Sequence, residues 1–318
     1  MFSDNAWTGF HNIYCKEIFM FAELLQQLPA EVLRENEPMQ NHTSFKIGGP
    51  ADLLVTPGSI EEIKRVVTYC HKHHIPLLVI GRGSNLLVRD KGIRGVVMKL
   101  ASNFQEFLLE GNQIQAQAGI SLSELAQNAA AASLQGLEFA EGIPGSLGGA
   151  VVMNAGAYDG EMSDVIIEVQ AIMETGEIKL FKAEELNYSY RRSILQEIPG
   201  YVLTARMQLK SGDKNEITAR MREYARRRAE KQPLEIPSAG STFKRPDGHY
   251  VGPMIEELGL KGFTLGGAQI SDKHAGFIVN RGGASAADVL DLIALVQTRV
   301  KEKYGLDLQP EVRIVGEE

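Results

Sequence analysis

The chain has 318 residues, of which 44% are hydrophobic and 23% charged, the balance of a soluble globular protein long enough for two or three domains with real cores. A net charge of −7 excludes a general basic surface for nucleic acid, so any anionic ligand must be held by local arginines and lysines. The only two cysteines, Cys15 and Cys70, stand in unlike contexts, and no apolar run reaches the length of a membrane span. A disulfide framework, a zinc site and a spanning helix are therefore not expected, and the composition fits the cytoplasm.

Residues 1–19 are irregular and lack the basic-then-apolar order of a secretory signal. Met20 opens a helix, MFAELLQQL, and reads as a natural start, with the preceding residues an extension. Pro38 ends that region, and Asn41–Gly49 (NHTSFKIGG) opens the folded body. Ala51–Thr56 is extended. Ser59 with Glu62 forms a capping box, and Ile63, Val66, Val67 and Cys70 mark one face of the helix that follows. Pro76–Ile80 reads as a short buried strand ending in Gly81-Arg82-Gly83-Ser84-Asn85. This loop lacks the third glycine of a Rossmann fingerprint, and Leu86–Val88 after it reads as a strand. Taken alone, it fits a simple glycine turn.

Gln113–Ala118 alternates polar and apolar residues, the mark of a half-buried strand. Ser121 and Glu124 cap an alanine-rich helix running to about Ser133. Glu141–Gly160 (EGIPGSLGGAVVMNAGAYDG) then carries six glycines in twenty residues together with Ile143, Leu147, Val151, Val152 and Met153. A flexible linker would be polar, so this run reads as buried backbone that either packs tightly or wraps a ligand. Pro144-Gly145-Ser146 suits a turn into a short helix whose free N–H groups face an anion, pointing to a phosphate-bearing cofactor.

Strands follow near Val165–Glu174, at Ile178–Phe181 and at Gly200–Leu209. In the helix from about Glu216 to Lys231, Ile217, Met221, Tyr224 and Arg228 share a face. Arg228 therefore points inward and needs either a structural carboxylate or an anionic ligand. A short helix is expected at Met254–Leu258 and a strand at Phe277–Val279. Val289, Leu292, Ile293, Val296 and Val300 make an amphipathic helix. The chain closes on an alternating strand, Leu306, Leu308, Val312 and Ile314, with Glu311 on its opposite face.

Several motifs stand in one order: NHTSFKIGGPAD (41–52), GRGSN (81–85), EGIPGSLGGAVVMNAGAY (141–158), YRRS (190–193), RAEKQP (228–233), PSAGSTFKRP (237–246), GLKG…GGAQISDKHAGFIVN (259–280) and LQPEVRIVG (308–316). Together they resemble the UDP-N-acetylenolpyruvoylglucosamine reductase (MurB) family over nearly everything after residue 40. The resemblance implies an α+β fold: a two-part FAD-binding domain of the vanillyl-alcohol-oxidase-like (PCMH) type plus a separate α+β substrate-binding domain. The implied spans are an extension and helix over 1–40, FAD subdomains over 41–90 and 91–212, a substrate domain over 213–305 and a returning strand over 306–318. Noncovalent FAD is implied, because the first loop has no histidine of the kind that attaches flavin in some relatives. By the same resemblance the cofactor is held by Gly81, Arg82, Gly83, Ser84 and Asn85, with Gly142, Pro144, Gly145, Ser146, Gly148, Gly149, Asn154, Ala155 and Gly156.

The implied reaction is NADPH-dependent reduction of UDP-N-acetylglucosamine enolpyruvate to UDP-N-acetylmuramate, in peptidoglycan precursor synthesis. Hydride passes from reduced flavin N5 to the vinyl carbon. Arg191 is implied as the cation on the carboxylate, Ser241 as the proton donor and Glu311 as its assistant. Tyr190, Arg228, Lys231 and Lys244 are implied substrate contacts, the middle two on the UDP diphosphate. The short link from Arg191 to Arg228 resembles the shorter, second type of the family. Two departures stand out: FKRP places Arg245 where members often have Asn, and Tyr250-Val251-Gly252-Pro253 replaces a more usual segment. The glycine loops alone would also suit another FAD oxidoreductase, such as a hydroxy-acid oxidase; it is SAGSTFK with QPEVR that narrows the resemblance.

Overall fold

The computed structural model describes residues 20–318. The reading of residues 1–19 and of a start at Met20 lies outside what it describes. Helix α1 (20–27) buries Phe21 and Leu24, and Tyr69 donates its hydroxyl to Met20 O at 2.8 Å.

A first sheet is built from β1 (Leu33–Pro38), β2 (Pro50–Val55), β3 (Leu77–Ile80) and β5 (Ile93–Lys99), in the order β1-β2-β5-β3. It thus draws on strands outside 41–90 at both ends. The strands β2, β5 and β3 are parallel, with β1 antiparallel at the edge. Helix α2 (Ile60–His73) crosses from β2 to β3, capped by Ser59, whose hydroxyl accepts the Glu62 N–H at 3.2 Å. The expected face is the buried one, comprising Ile63, Val66, Val67 and Cys70. The reciprocal half of the expected capping box is absent: the Glu62 carboxylate accepts from Gly58 N instead. Burial raises the Cys70 thiol to about 12, which leaves it a small apolar side chain.

The second sheet is antiparallel and five-stranded. It contains β6 (Phe107–Glu110), β7 (Gln113–Gln117), β8 (Ile166–Met173), β9 (Ile178–Lys182) and β10 (Gly200–Gln208), ordered β9-β8-β10-β7-β6. In β7, Ile114 and Ala116 point inward between half-buried glutamines, as the alternation requires. Helix α3 (Leu122–Ala131) is capped by Ser121. Glu141–Gly160 resolves into a turn, helix α4 (Leu147–Met153) and a tight hairpin pairing Gly156–Ala157 with Gly160–Glu161.

Helix α5 (Lys214–Lys231) leads to a third sheet of β11 (Ser238–Ser241), β12 (Thr264–Leu265), β13 (Ala268–Ile270) and β14 (Phe277–Asn280), ordered β11-β14-β13-β12. The short helix α6 (Val251–Glu257) begins three residues before the expected Met254. Helix α7 (Ala286–Tyr304) lays Val289, Leu292, Ile293, Val296 and Val300 into the core beneath this sheet. That core also takes Phe45, Ile47 and Leu87 from the first part of the chain and Leu308 and Val312 from its end. The alternating strand expected from Leu306 is regular only as β15 (Arg313–Val315), which pairs in parallel with β4 (Leu86–Val88). Residues 306–312 are instead held by single bonds, because they pass between two bodies instead of along one sheet. Among the described residues, no helix is long and apolar enough to cross a membrane.

Candidate active site

The end of the chain runs between the first glycine loop and β11. Asn85 donates its side-chain amide to Glu311 O at 3.0 Å and its carbonyl accepts the Arg313 N–H at 2.9 Å. On the other side, Glu311 N–H donates to Thr242 O at 2.8 Å and Lys244 N–H to Gln309 O at 2.9 Å. Glu311 and Ser241 consequently stand on neighbouring segments. The Ser241 side chain is exposed, and its hydroxyl has no hydrogen-bond partner among the described residues.

Arg191 reaches this point from the second sheet. Its Nε donates to Glu311 Oε1 at 2.9 Å and its Nη2 to Gly156 O at 3.1 Å, leaving Nη1 without a protein partner among the described residues. Arg191 sits in a two-residue turn closed by the Ser189 and Arg192 backbones, with φ +57°, and its guanidinium lies 5.1 Å from the centre of the Tyr190 ring. Tyr190 itself is exposed. A half-buried arginine sharing a carboxylate while keeping one edge open can take a second carboxylate in that edge.

The two glycine loops meet. A Cβ on Gly81 would fall 1.9 Å from Ser146 Oγ, and one on Gly83 2.2 Å from His42 O, so these glycines serve backbone packing. Beside them the N–H groups of Arg82, Gly83, Ser84 and Asn85 have no protein partner among the described residues. A Cβ on Gly149 would meet only Ser146 Oγ, at 4.0 Å, which leaves room against this row of donors. Successive free N–H groups next to open glycine backbone fit the anionic pyrophosphate of a dinucleotide.

One expectation is corrected. The first N–H groups of α4 are not free: Leu147 N donates to Ile120 O at 2.9 Å and Gly148 N to Ala118 O at 2.8 Å, because the start of the helix docks on the turn before α3. Only Ser146 and Gly149 keep unpaired N–H groups there, among the described residues. Gly148 packs on Ala118, whose Cβ would be 2.9 Å from an added Cβ. The Asn154 side chain is fully buried and spent within the protein, donating to Ser189 O at 3.2 Å and accepting from Ser163 N at 3.0 Å. It is scaffold and offers no side-chain contact to a cofactor. Pro144 is exposed, while Gly145, Ala155 and Gly156 are half-buried along the same run.

Arg228 is 8% exposed and has no carboxylate partner among the described residues; its Nε is buried with no hydrogen bond. Desolvation lowers its pKa, opposed by Tyr158 and Glu141. The guanidinium lies 5.6 Å from the centre of the Tyr158 ring, and Tyr158 stacks on Tyr224 at 4.4 Å. Gly142, at φ +72°, leaves space for the Arg228 side chain, 3.2 Å from where a Cβ would stand. The inward arginine thus has no structural ion pair among the described residues, and the ligand alternative is the one its surroundings fit. Lys231 is exposed one turn on and Lys244 half-buried. Arg245 turns back onto its own loop, 3.8 Å over the Tyr250 ring and with Nε to His249 O at 3.2 Å.

Two groups beside the site carried no sequence signal. Tyr158 is aimed by the two-residue hairpin loop Tyr158-Asp159, both residues at positive φ, which ordinary propensity does not foretell. Lys99 Nζ lies 3.2 Å from His42 Nδ1, and His42 Nε2 2.8 Å from Glu37 Oε1. Burial first, and Arg82 second, push the Lys99 pKa down.

Residues 51–181 match the model of an FAD binding domain, and residues 232–315 that of the C-terminal domain of UDP-N-acetylenolpyruvoylglucosamine reductase. A protein of that name from Syntrophomonas wolfei is 58% identical, over 94% of this chain and 100% of its own length. Another from Caldanaerobacter subterraneus is 52% identical, over 93% of this chain and 99% of its own. The crystal structure of the Thermus caldophilus UDP-N-acetylenolpyruvylglucosamine reductase superposes with a TM-score of 0.77 at 42% identity, covering 87% of this chain and 97% of that one.

Proposed function

The chain belongs to the UDP-N-acetylenolpyruvoylglucosamine reductase family and is an FAD-binding oxidoreductase, and on that premise we propose that NADPH is its electron donor and Ser241 its proton donor. The substrate is UDP-N-acetylglucosamine enolpyruvate, and the product is UDP-N-acetylmuramate, in the cytoplasm. When bound, FAD supplies the two-electron relay between nicotinamide and the enolpyruvyl double bond. Of the two hydrogens added across that bond, one comes by this relay and the other comes from the protein as a proton.

The observation that carries the reading is the Arg191–Glu311 pair, 2.9 Å apart, beside Ser241. Negative charge develops on the carbon next to the substrate carboxylate as the far carbon is reduced. Arg191 holds that carboxylate through its open edge and stabilises the charge. Ser241 gives its proton to the basic carbon, and Glu311 keeps Arg191 aligned and assists across the enol. Arg228, with Lys231 one turn away, takes the diphosphate, which supplies the partner that the buried guanidinium lacks. Tyr190 and Lys244 line the approach. The free N–H row of residues 82–85, with the free N–H groups of Ser146 and Gly149, holds the FAD pyrophosphate, while Gly142, Gly145, Ala155 and Gly156 border the cofactor. By this reading 41–90, completed by β1 before it and β5 after it, and the rest of 91–212 form the FAD-binding parts, 213–305 the substrate part, and 306–318 returns Glu311. The short link between Arg191 and Arg228 supports the shorter type of the family.

An anaerobic absorbance experiment tests this. NADPH is expected to bleach the visible flavin band of the purified protein, and UDP-N-acetylglucosamine enolpyruvate to restore it. Bleaching without recovery would sink the substrate and keep the flavoprotein.

A further inference from the structure

The turn that carries Arg191 is held by a set of side-chain hydrogen bonds from Asn154, Ser193 and Gln196. Arg191 has φ +57°, a conformation that costs a residue with a Cβ and persists only when its neighbours impose it. Asn154 donates to Ser189 O at 3.2 Å, the first residue of the turn. Gln196 donates one amide hydrogen to Arg191 O at 3.0 Å and the other to Val152 O at 2.9 Å. Ser193, fully buried, donates to the same Val152 O at 2.7 Å. Val152 and Asn154 lie at the end of α4, and Gly156, whose carbonyl accepts from Arg191 Nη2, is two residues beyond Asn154. The backbone of Arg191 and one acceptor of its side chain are thus referred to a single rigid point, the C-terminus of α4. Asn154 is itself left-handed, at φ +43°, which sets the direction in which the chain leaves the helix toward Gly156.

From this geometry we infer that Asn154 and Gln196 are positioning residues for Arg191. They impose the strained turn and so place the open edge of the guanidinium beforehand. The inference rests on the role given to Arg191 above. Neither side chain need touch the substrate; in the reaction both act through Arg191, while Asn154 Oδ1 also accepts from Ser163 N at 3.0 Å.

The test is a double-mutant cycle on holoenzyme, read as the rate at which the substrate reoxidises NADPH-reduced enzyme, normalised to bound flavin. Asn154→Gly keeps the left-handed backbone and removes the side chain, with its bond to Ser189 O and its acceptor for Ser163 N; Gln196→Ala acts at an exposed position and spares the fold. Each is expected to slow reoxidation about tenfold, since a misplaced positioning group costs one to two orders of magnitude. In an Arg191→Ala background each is expected to change the rate by less than about twofold, because coupled residues are not additive. Equal losses in both backgrounds, or no loss in the first, overturn the inference. If Asn154→Gly yields no holoenzyme, Gln196→Ala decides alone. Should Arg191→Ala itself reoxidise at the native rate, the role of Arg191 falls and the positioning inference with it, an outcome distinct from the additive one.

Discussion

Ser241 is a poor acid in water, and its hydroxyl has no hydrogen-bond partner among the described residues, so its usefulness depends on what it faces. A carbon bearing enolate charge is basic enough to take the proton, and general acid catalysis of this kind is worth about 10²–10⁴-fold. Ser241→Ala is expected to slow reoxidation of the reduced enzyme by at least about 10²-fold, while NADPH still reduces it at nearly the native rate. If both half-reactions slowed together in stopped-flow traces, Ser241 would be no proton donor. Arg228 makes the opposite kind of residue-scale case, a charge with no carboxylate partner among the described residues. Replacing a buried unpaired cation by an apolar side chain of similar length removes its desolvation cost. Arg228→Met is expected to melt no lower than the native protein without ligand, yet to raise KM for the UDP substrate at least about tenfold, the scale of one hydrogen bond to a charged group. His274 supplies a pH dependence. Its Nδ1 accepts from Gly276 N at 3.1 Å, and burial lowers its pKa below the usual 6.5. The unfolded chain then binds the proton more readily than the folded one, so this contribution is complete above 6.5 and is lost as pH falls below it. Urea midpoints between about pH 5 and 7 are expected to show the loss, and His274→Gln to flatten it.

At the scale of the element, local chemistry accounts for most helix ends. Asp213 caps α5 by accepting from both Asn215 and Glu216 N–H groups, and this helix must hold register if Arg228 is to point inward. Asp213→Ala is expected to cost about 1 kcal/mol in urea unfolding. A result within error of the native protein would mean that packing on Ile217 and Met221 alone fixes the start of the helix. The caps of α2 and α3 were legible in Ser59 and Ser121 because a hydroxyl three residues before its partner acts through nearby atoms only. The buried faces of α2 and α7 were legible for a similar reason, since a helical period repeats within a short window. The anion-facing start of α4 was not legible in the same way. Whether its N–H groups are free depends on the carbonyls of Ala118 and Ile120, which lie on another segment.

Across the whole molecule, the joints between parts are made by few residues. Asp90, in the loop after β4, accepts from Ala286 N at 2.8 Å and Ala287 N at 3.0 Å, so the first part of the chain caps α7 of the last. Ser44 donates to Ser238 O at 2.6 Å, and Asn280 to Phe45 O at 3.1 Å, across the same boundary. Asp90→Ala is expected to cost about 1–2 kcal/mol, the range of a charged cap at a helix start. The α7 amides should exchange faster in hydrogen-exchange measurements while those of the second sheet do not. Uniform acceleration would instead mean that the parts unfold as one unit.

The sequence by itself determined what is set within a few residues or by composition. The strands β2, β3, β4, β7, β8, β9, β10 and β14, the caps of α2 and α3, the inward face carrying Arg228 and the glycine backbone of the two loops were readable, because periodicity and turn chemistry act locally. The strands β1, β5, β6 and β11–β13 were not. The ordered motifs carried the family, since so many short patterns at these spacings narrow the candidates together. Only the tertiary structure decided that Arg191 and Glu311, separated by 120 positions, share one hydrogen bond. It alone decided that Arg228 has no carboxylate partner among the described residues, and that Asn154 is spent on the turn instead of the cofactor run it belongs to. Those facts depend on which distant segments pack together. A side chain's partners are chosen by the closure of the fold, and no local pattern encodes them.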